Sequence, residues 1–197
     1  MVYYLRIICA KRWVPEDGDS FEGIDGEAIT TDLRCDDNEW SLYRLEGETL
    51  DQSKIERVAV KAAALMLHRL VFPVSIVAFT DGYLKGLGLS MKWSPRGDEG
   101  EVGSWHYDAK RVHYRHINKV AESIYQEVAN GGRAVYKYSK ERLLRLITHY
   151  PTDFIGNGEK DAMKRRKRSF QKVFTTLEDS PDYSKALTMF DKAIGKN

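Results

Sequence analysis

Cysteine is scarce in this chain: Cys9 and Cys35 are the only two in 197 residues. Cys9 lies in an apolar run and Cys35 among acids, in neither a C-x-x-C nor a Cys/His spacing, so no disulfide framework and no thiolate zinc site is expected. Two reduced thiols fit a reducing compartment. Long apolar runs are missing as well. No segment approaches the roughly 20 residues needed to span a bilayer. The apolar stretch Val2–Ala10 is too short for a signal peptide and has no basic leader before it. The expected location is therefore cytoplasmic, with no membrane partner.

Several catalytic signatures are also lacking. Gly82, Gly86 and Gly88 are not followed by a helical pattern, which excludes a phosphate-binding loop or dinucleotide fingerprint. Gly97, Gly100 and Gly103 stand among acids that would repel phosphate. Ser75, Ser90 and Ser104 sit in no G-x-S-x-G arrangement, and there is no H-E-x-x-H. An EF-hand count from Asp17 fails, with Phe21 at position five and Ala28 at position twelve where oxygen ligands belong. A nucleotide-dependent enzyme is disfavoured, and no cofactor is expected.

What the chain does have is a core and an uneven charge. A hydrophobic fraction of 42% in a chain of this length is enough to bury a core without disulfides or metal. The net charge of +2 hides a split: residues 1–104 hold 12 Lys/Arg against 18 Asp/Glu, and residues 105–197 hold 19 against 11. The halves thus carry −6 and +8, an asymmetry that concerns partners rather than fold.

Periodicity supplies the elements. Tyr3, Leu5, Ile7 and Cys9 alternate with a face carrying Arg6, a strand pattern. Residues 16–37 are acidic and unpatterned and read as a long loop. Glu39–Leu45 suits a second strand. Thr49 and Gln52 have capping-box spacing, with Asp51 as a rival cap, ahead of a helical stripe of Ile55, Val58, Ala59, Ala62, Met66 and Leu70 that Pro73 stops. Val74–Thr80 is a continuous β-branched run, and Asp81-Gly82 predicts a hairpin returning through Leu87, Leu89 and Met91. Ser94–Ser104 reads as loop.

Further helices follow on Ile117, Val120, Ala121, Ile124 and Val128, ending at Asn130-Gly131-Gly132. A short strand fits Ala134–Tyr138. Another helix runs from Ser139 to Pro151, another from about Glu159 to Leu177, and a last one opens at Ser180-Pro181. Strands with one helix, then helices, predict an α+β fold: a small, mostly antiparallel sheet from the N-terminal half packed against helices, with a helical C-terminal half. The expected division is a core over residues 1–150 and a helical extension over 151–197, forming one cooperative unit.

Three groups of residues are functional candidates. Lys160, Lys164, Arg165, Arg166, Lys167, Arg168 and Lys172 crowd one helix. At about 100° per residue, Met163, Phe170, Val173, Phe174 and Leu177 gather on one side and Lys164, Arg165, Arg168 and Lys172 on the other. Such a face neutralises phosphates with little sequence information. Lys160 belongs to the same nucleic-acid-binding set, and Arg133 and Lys137 are candidates to extend it.

The second group is His106, Asp108, His113 and His116, with Glu127 nearby. On one continuous helix these would offer metal ligands or an acid–base pair for a hydrolase or nuclease. The third is the acidic loop, with Asp17, Asp19, Glu22, Asp25, Glu27, Asp32, Asp36 and Asp37 able to meet a basic protein partner. Strand aromatics Tyr3, Tyr4, Trp40, Tyr43, Tyr83 and Trp93 offer base stacking if exposed, though core packing is the commoner use of such rings. The leading expectation is a non-enzymatic binding or adaptor protein that meets nucleic acid through the basic helix. The alternatives are a protein–protein module using the acidic loop and a metal-assisted hydrolase built on the histidines.

Overall fold

A computed structural model describes residues 1–13, 24, 26–35, 38–96, 100–132, 134–156 and 159–195. In chain order the elements are β1 (Val2–Ile8), α1 (Gly26–Asp32), β2 (Trp40–Glu46), α2 (Gln52–Met66), β3 (Val74–Thr80), α3 (Asp81–Gly86), β4 (Ser90–Trp93), α4 (Gly100–Ser104), β5 (His106–Lys110), α5 (Tyr114–Ala129), β6 (Val135–Tyr138), α6 (Lys140–His149), α7 (Pro151–Ile155), α8 (Lys160–Phe174) and α9 (Pro181–Ile194). The α+β class holds: the sheet is antiparallel and the C-terminal elements are helices. No helix among the described residues is long and apolar enough to cross a membrane.

Contacts divide the chain into two compact units that interleave in sequence. The first comprises residues 1–51, 75–95 and 105–137, and the second comprises 52–74, 96–104 and 138–197. This partition follows contacts. The division expected from sequence, a core over residues 1–150 with a helical extension over 151–197 in one cooperative unit, concerns which segments fold together.

The first unit is built on a sheet in the order β4-β5-β2-β1-β3-β6. The pairings β1–β2, β1–β3, β2–β5 and β4–β5 are all antiparallel, with Tyr3 opposite Leu45 and Thr80, and Leu42 opposite Tyr107. Alternation places Tyr4 and Ile8 of β1 and Leu42 of β2 in one core cluster with Phe79, Val120, Ala121 and Ile124. Helix α5 therefore buries its predicted stripe in this cluster. Its chain leaves through Gly131 at φ +62, a left-handed turn in which glycine carries no Cβ penalty.

Two segments differ from the pattern their sequence predicts. Asp81-Gly82 forms no hairpin: the side chain of Thr80 accepts a hydrogen bond from the Tyr83 N–H and caps α3. The following strand β4 pairs with β5 and not with β3. The expected acidic loop also contains a helix, α1. The side chain of Asp32, at its end, accepts hydrogen bonds from the Cys9 N–H (2.7 Å) and the Trp13 indole N–H (2.8 Å). Arg6 donates to the Asp32 carbonyl. Asp32 is buried because it ties α1 to the end of β1, so it is not a partner-facing acid.

The second unit is helical. Helix α8 packs on α9, α6 packs on α9, and α2 packs on α6 and α7. Its centre is aromatic: Phe170 lies 5.9 Å from Phe154, 4.8 Å from Phe174 and 5.5 Å from both Tyr183 and Phe190, centroid to centroid. Each such ring removed from water stabilises the fold by about 1.5–3 kcal/mol. Pro151 opens α7 at its first position as well as closing α6, and the side chain of Ser180 caps α9. Ser94–Ser104, expected to be loop, carries the short helix α4.

Candidate functional site

Helix α8 forms because its apolar residues recur at helical spacing and its ends suit the macrodipole, with Asp161 in the first turn and Lys172 in the last. Phe170 and Phe174 are fully buried. Two of its cations are consumed by the fold. Arg166 donates to the carbonyls of Phe154 (3.1 Å) and Ile155, satisfying the C-terminal carbonyls of α7 that have no helical partner. Lys167 binds the Asp191 carboxylate of α9 at 2.6 Å.

The other five, Lys160, Lys164, Arg165, Arg168 and Lys172, are exposed. Lys164 pairs with Asp161 at 2.9 Å, and both side chains are more than half exposed. That contact holds the Asp161 carboxyl below the usual carboxylate range, first through the Lys164 hydrogen bond and then through its charge and that of Arg165. Among the described residues, Lys160, Arg165, Arg168 and Lys172 have no carboxylate within ion-pair distance. The second unit carries 18 Lys/Arg and 12 Asp/Glu, a net +6, and the first carries 13 and 17, a net −4. Arg133 lies outside the described residues, and Lys137 is exposed on β6, in the first unit.

The histidines do not share one helix. His106 and Asp108 are on β5, where the alternation Tyr107, Ala109 against His106, Asp108 is the period-2 signal that the helical reading overlooked. Arg111, at φ +58, turns the chain before α5 begins at Tyr114. His106 is 1% exposed; its Nδ1 donates to the Ser94 carbonyl at 2.8 Å, and its ring meets Tyr43 edge-on. Its Nε2 is 3.9 Å from Asp108, which also lies 3.7 Å from Lys110.

His113 caps α5, and the Nδ1 of His116 accepts the His113 backbone N–H at 3.0 Å. The Arg115 Nε lies 3.2 Å from the His116 Nε2. A neutral imidazole has one acceptor nitrogen. The ring therefore accepts from the His113 backbone N–H or from the Arg115 guanidinium, one at a time. Burial, followed by the charges of Arg115, His113 and Lys119, lowers the His116 pKa and so favours the neutral ring. His106 and His116 are thus both buried, on different elements. No group of three or more His, Cys, Asp or Glu able to hold a metal ion occurs among the described residues.

Of the acidic loop, Asp17, Asp19, Glu22, Asp25, Asp36 and Asp37 lie outside the described residues, and Glu27 pairs with Arg12. Of the strand aromatics, Tyr4, Trp40 and Tyr43 are buried, Tyr3 and Tyr83 are half-buried, and Trp93 is 58% exposed. One network was invisible in the sequence. Arg57 binds Asp153 through two contacts of 2.6 and 3.0 Å and Glu101 at 2.8 Å. The Asp153 hydrogen bond raises the Arg57 pKa further above its ordinary value. Its partners lie 44 and 96 residues away, so no local spacing announces it. Comparison of the chain with protein-family models, with curated proteins and with solved structures finds no match in any of the three.

Proposed function

We propose that this protein is a non-enzymatic binding or adaptor protein that meets the phosphates of nucleic acid through the outer face of α8. The observation that carries this reading is a division of labour on one helix. Arg166 and Lys167 are spent on the fold, and Arg165, Arg168, Lys172 and Lys160 are exposed with no carboxylate partner among the described residues. Unpaired cations on a rigid, packed helix bind polyanions by releasing condensed counterions, which makes the binding salt-dependent. In this reading the protein works in a reducing compartment, where Cys9 and Cys35 persist as thiols.

The test is a fluorescence-anisotropy titration against single- and double-stranded DNA and RNA at several salt concentrations. The wild type is compared with a variant carrying Lys164→Glu, Arg165→Glu, Arg168→Glu and Lys172→Glu. Log affinity is expected to fall linearly with log salt in the wild type, and binding is expected to vanish in the variant with its thermal unfolding preserved. Undiminished affinity in the variant rules α8 out. Capture of an acidic protein in preference to nucleic acid would move the reading to a protein partner.

A further inference from the structure

We infer that α8 follows the phosphodiester backbone of one nucleic-acid strand, contacting a run of consecutive phosphates and no bases; this rests on the nucleic-acid reading above. Lys160, Lys164, Arg168 and Lys172 recur every fourth residue and so lie on one ridge of the helix. Each stands about 6 Å further along the axis than the last, and the ridge is about 18 Å long. That step is of the order of the separation between neighbouring phosphates on a single strand. The flexible lysine stems take up the difference.

The ridge stands on the convex outer surface of a single helix. A convex row meets one strand, and phosphates on the far side of a groove lie beyond its reach. The other fully outward positions are Arg165, Asp161 and Gln171. No aromatic ring stands among them, so the stacking that holds bases in single-strand binders is missing from this face. Backbone contacts position a protein without selecting sequence. A membrane surface is a poorer occupant. An interfacial helix needs its apolar side for the lipid, and on α8 Phe170 and Phe174 are already buried among Phe154, Tyr183 and Phe190.

The experiment measures salt slopes by anisotropy for the full chain and for Lys160→Gln, Lys164→Gln, Arg168→Gln and Lys172→Gln singly. The probes are labelled oligothymidine, a mixed-sequence single strand and a mixed-sequence duplex. Each substitution removes one phosphate contact, so the slope of log affinity against log salt becomes shallower by about 0.7 on single strands and about 0.9 on duplex, whatever the sequence. Circular dichroism melts check that these exposed changes leave the fold intact.

Salt-dependent binding that one substitution alone abolishes, or whose losses follow base sequence, overturns strand tracking and leaves the nucleic-acid reading standing. A loss on duplex of twice the single-strand value does the same, because it requires contacts to both strands. Absence of wild-type binding at low salt removes both.

Discussion

His116 is buried at the start of α5, and its pKa is lowered by that burial and by the neighbouring charges of Arg115, His113 and Lys119. An imidazole in the unfolded chain takes up its proton near pH 6.5, and the folded one does so only at lower pH. Between the two values the unfolded state holds more protons, so stability rises with pH in that window. The contribution is complete above about pH 6.5 and is lost as pH falls below it, by at most about 1.4 kcal/mol per pH unit. His116→Gln keeps a side chain able to close the capping box and removes the titration. Urea unfolding of both proteins between pH 5 and pH 8 is expected to give parallel curves above pH 6.5 and a steeper acid-side loss for the wild type. Parallel curves throughout would mean that His116 is not held neutral by the fold. The sequence showed the histidines but not their environment. Burial on a strand and a cap on a helix depend on where β5 stops, and that is fixed by the left-handed turn at Arg111.

At the scale of elements, strong periodicity was legible and short capped segments were not. The apolar stripe of α5 and the β-branched run of β3 lie where their patterns place them, because burying such a face outweighs local preference. The helix α3 was missed because Asp-Gly is a turn signal, and only the Thr80 cap reveals that the turn continues into a helix. On α8 the wheel separated the outward cations Lys164, Arg165, Arg168 and Lys172 from the buried side. It passed over Asp161, whose i+3 contact with Lys164 is a local signal. Asp161 competes with phosphate for Lys164 and lowers the charge presented beside Arg165. Asp161→Asn is therefore expected to tighten nucleic-acid binding, roughly two- to fivefold at low salt, the scale of an exposed ion pair. The gain is expected to shrink as salt rises. Anisotropy at two salt concentrations checks this, and weaker binding by the variant would show that Asp161 organises the site instead of competing for it.

At the scale of the whole molecule, the second unit draws α2 from the first third of the sequence into the company of α6, α7, α8 and α9. Long-range pairing of this kind leaves no local trace. It bears directly on whether residues 1–150 form a core that stands without the last 47. A chain ending at 150 loses Asp153, the bidentate partner of Arg57 on α2, and leaves that guanidinium with Glu101. It also loses Phe154, Phe170, Phe174 and Phe190, all fully buried. At about 1.5–3 kcal/mol per ring, their burial is comparable with the whole net stability of a domain, about 5–15 kcal/mol. The truncated chain is therefore expected to lose the helix α2. The amides of Val58–Ala64 are expected to be protected from hydrogen exchange in the full chain and to exchange fast in the 1–150 fragment, with a lower urea midpoint. Retained protection there, with an unchanged midpoint, would make residues 151–197 a dispensable extension of a core that stands on residues 1–150.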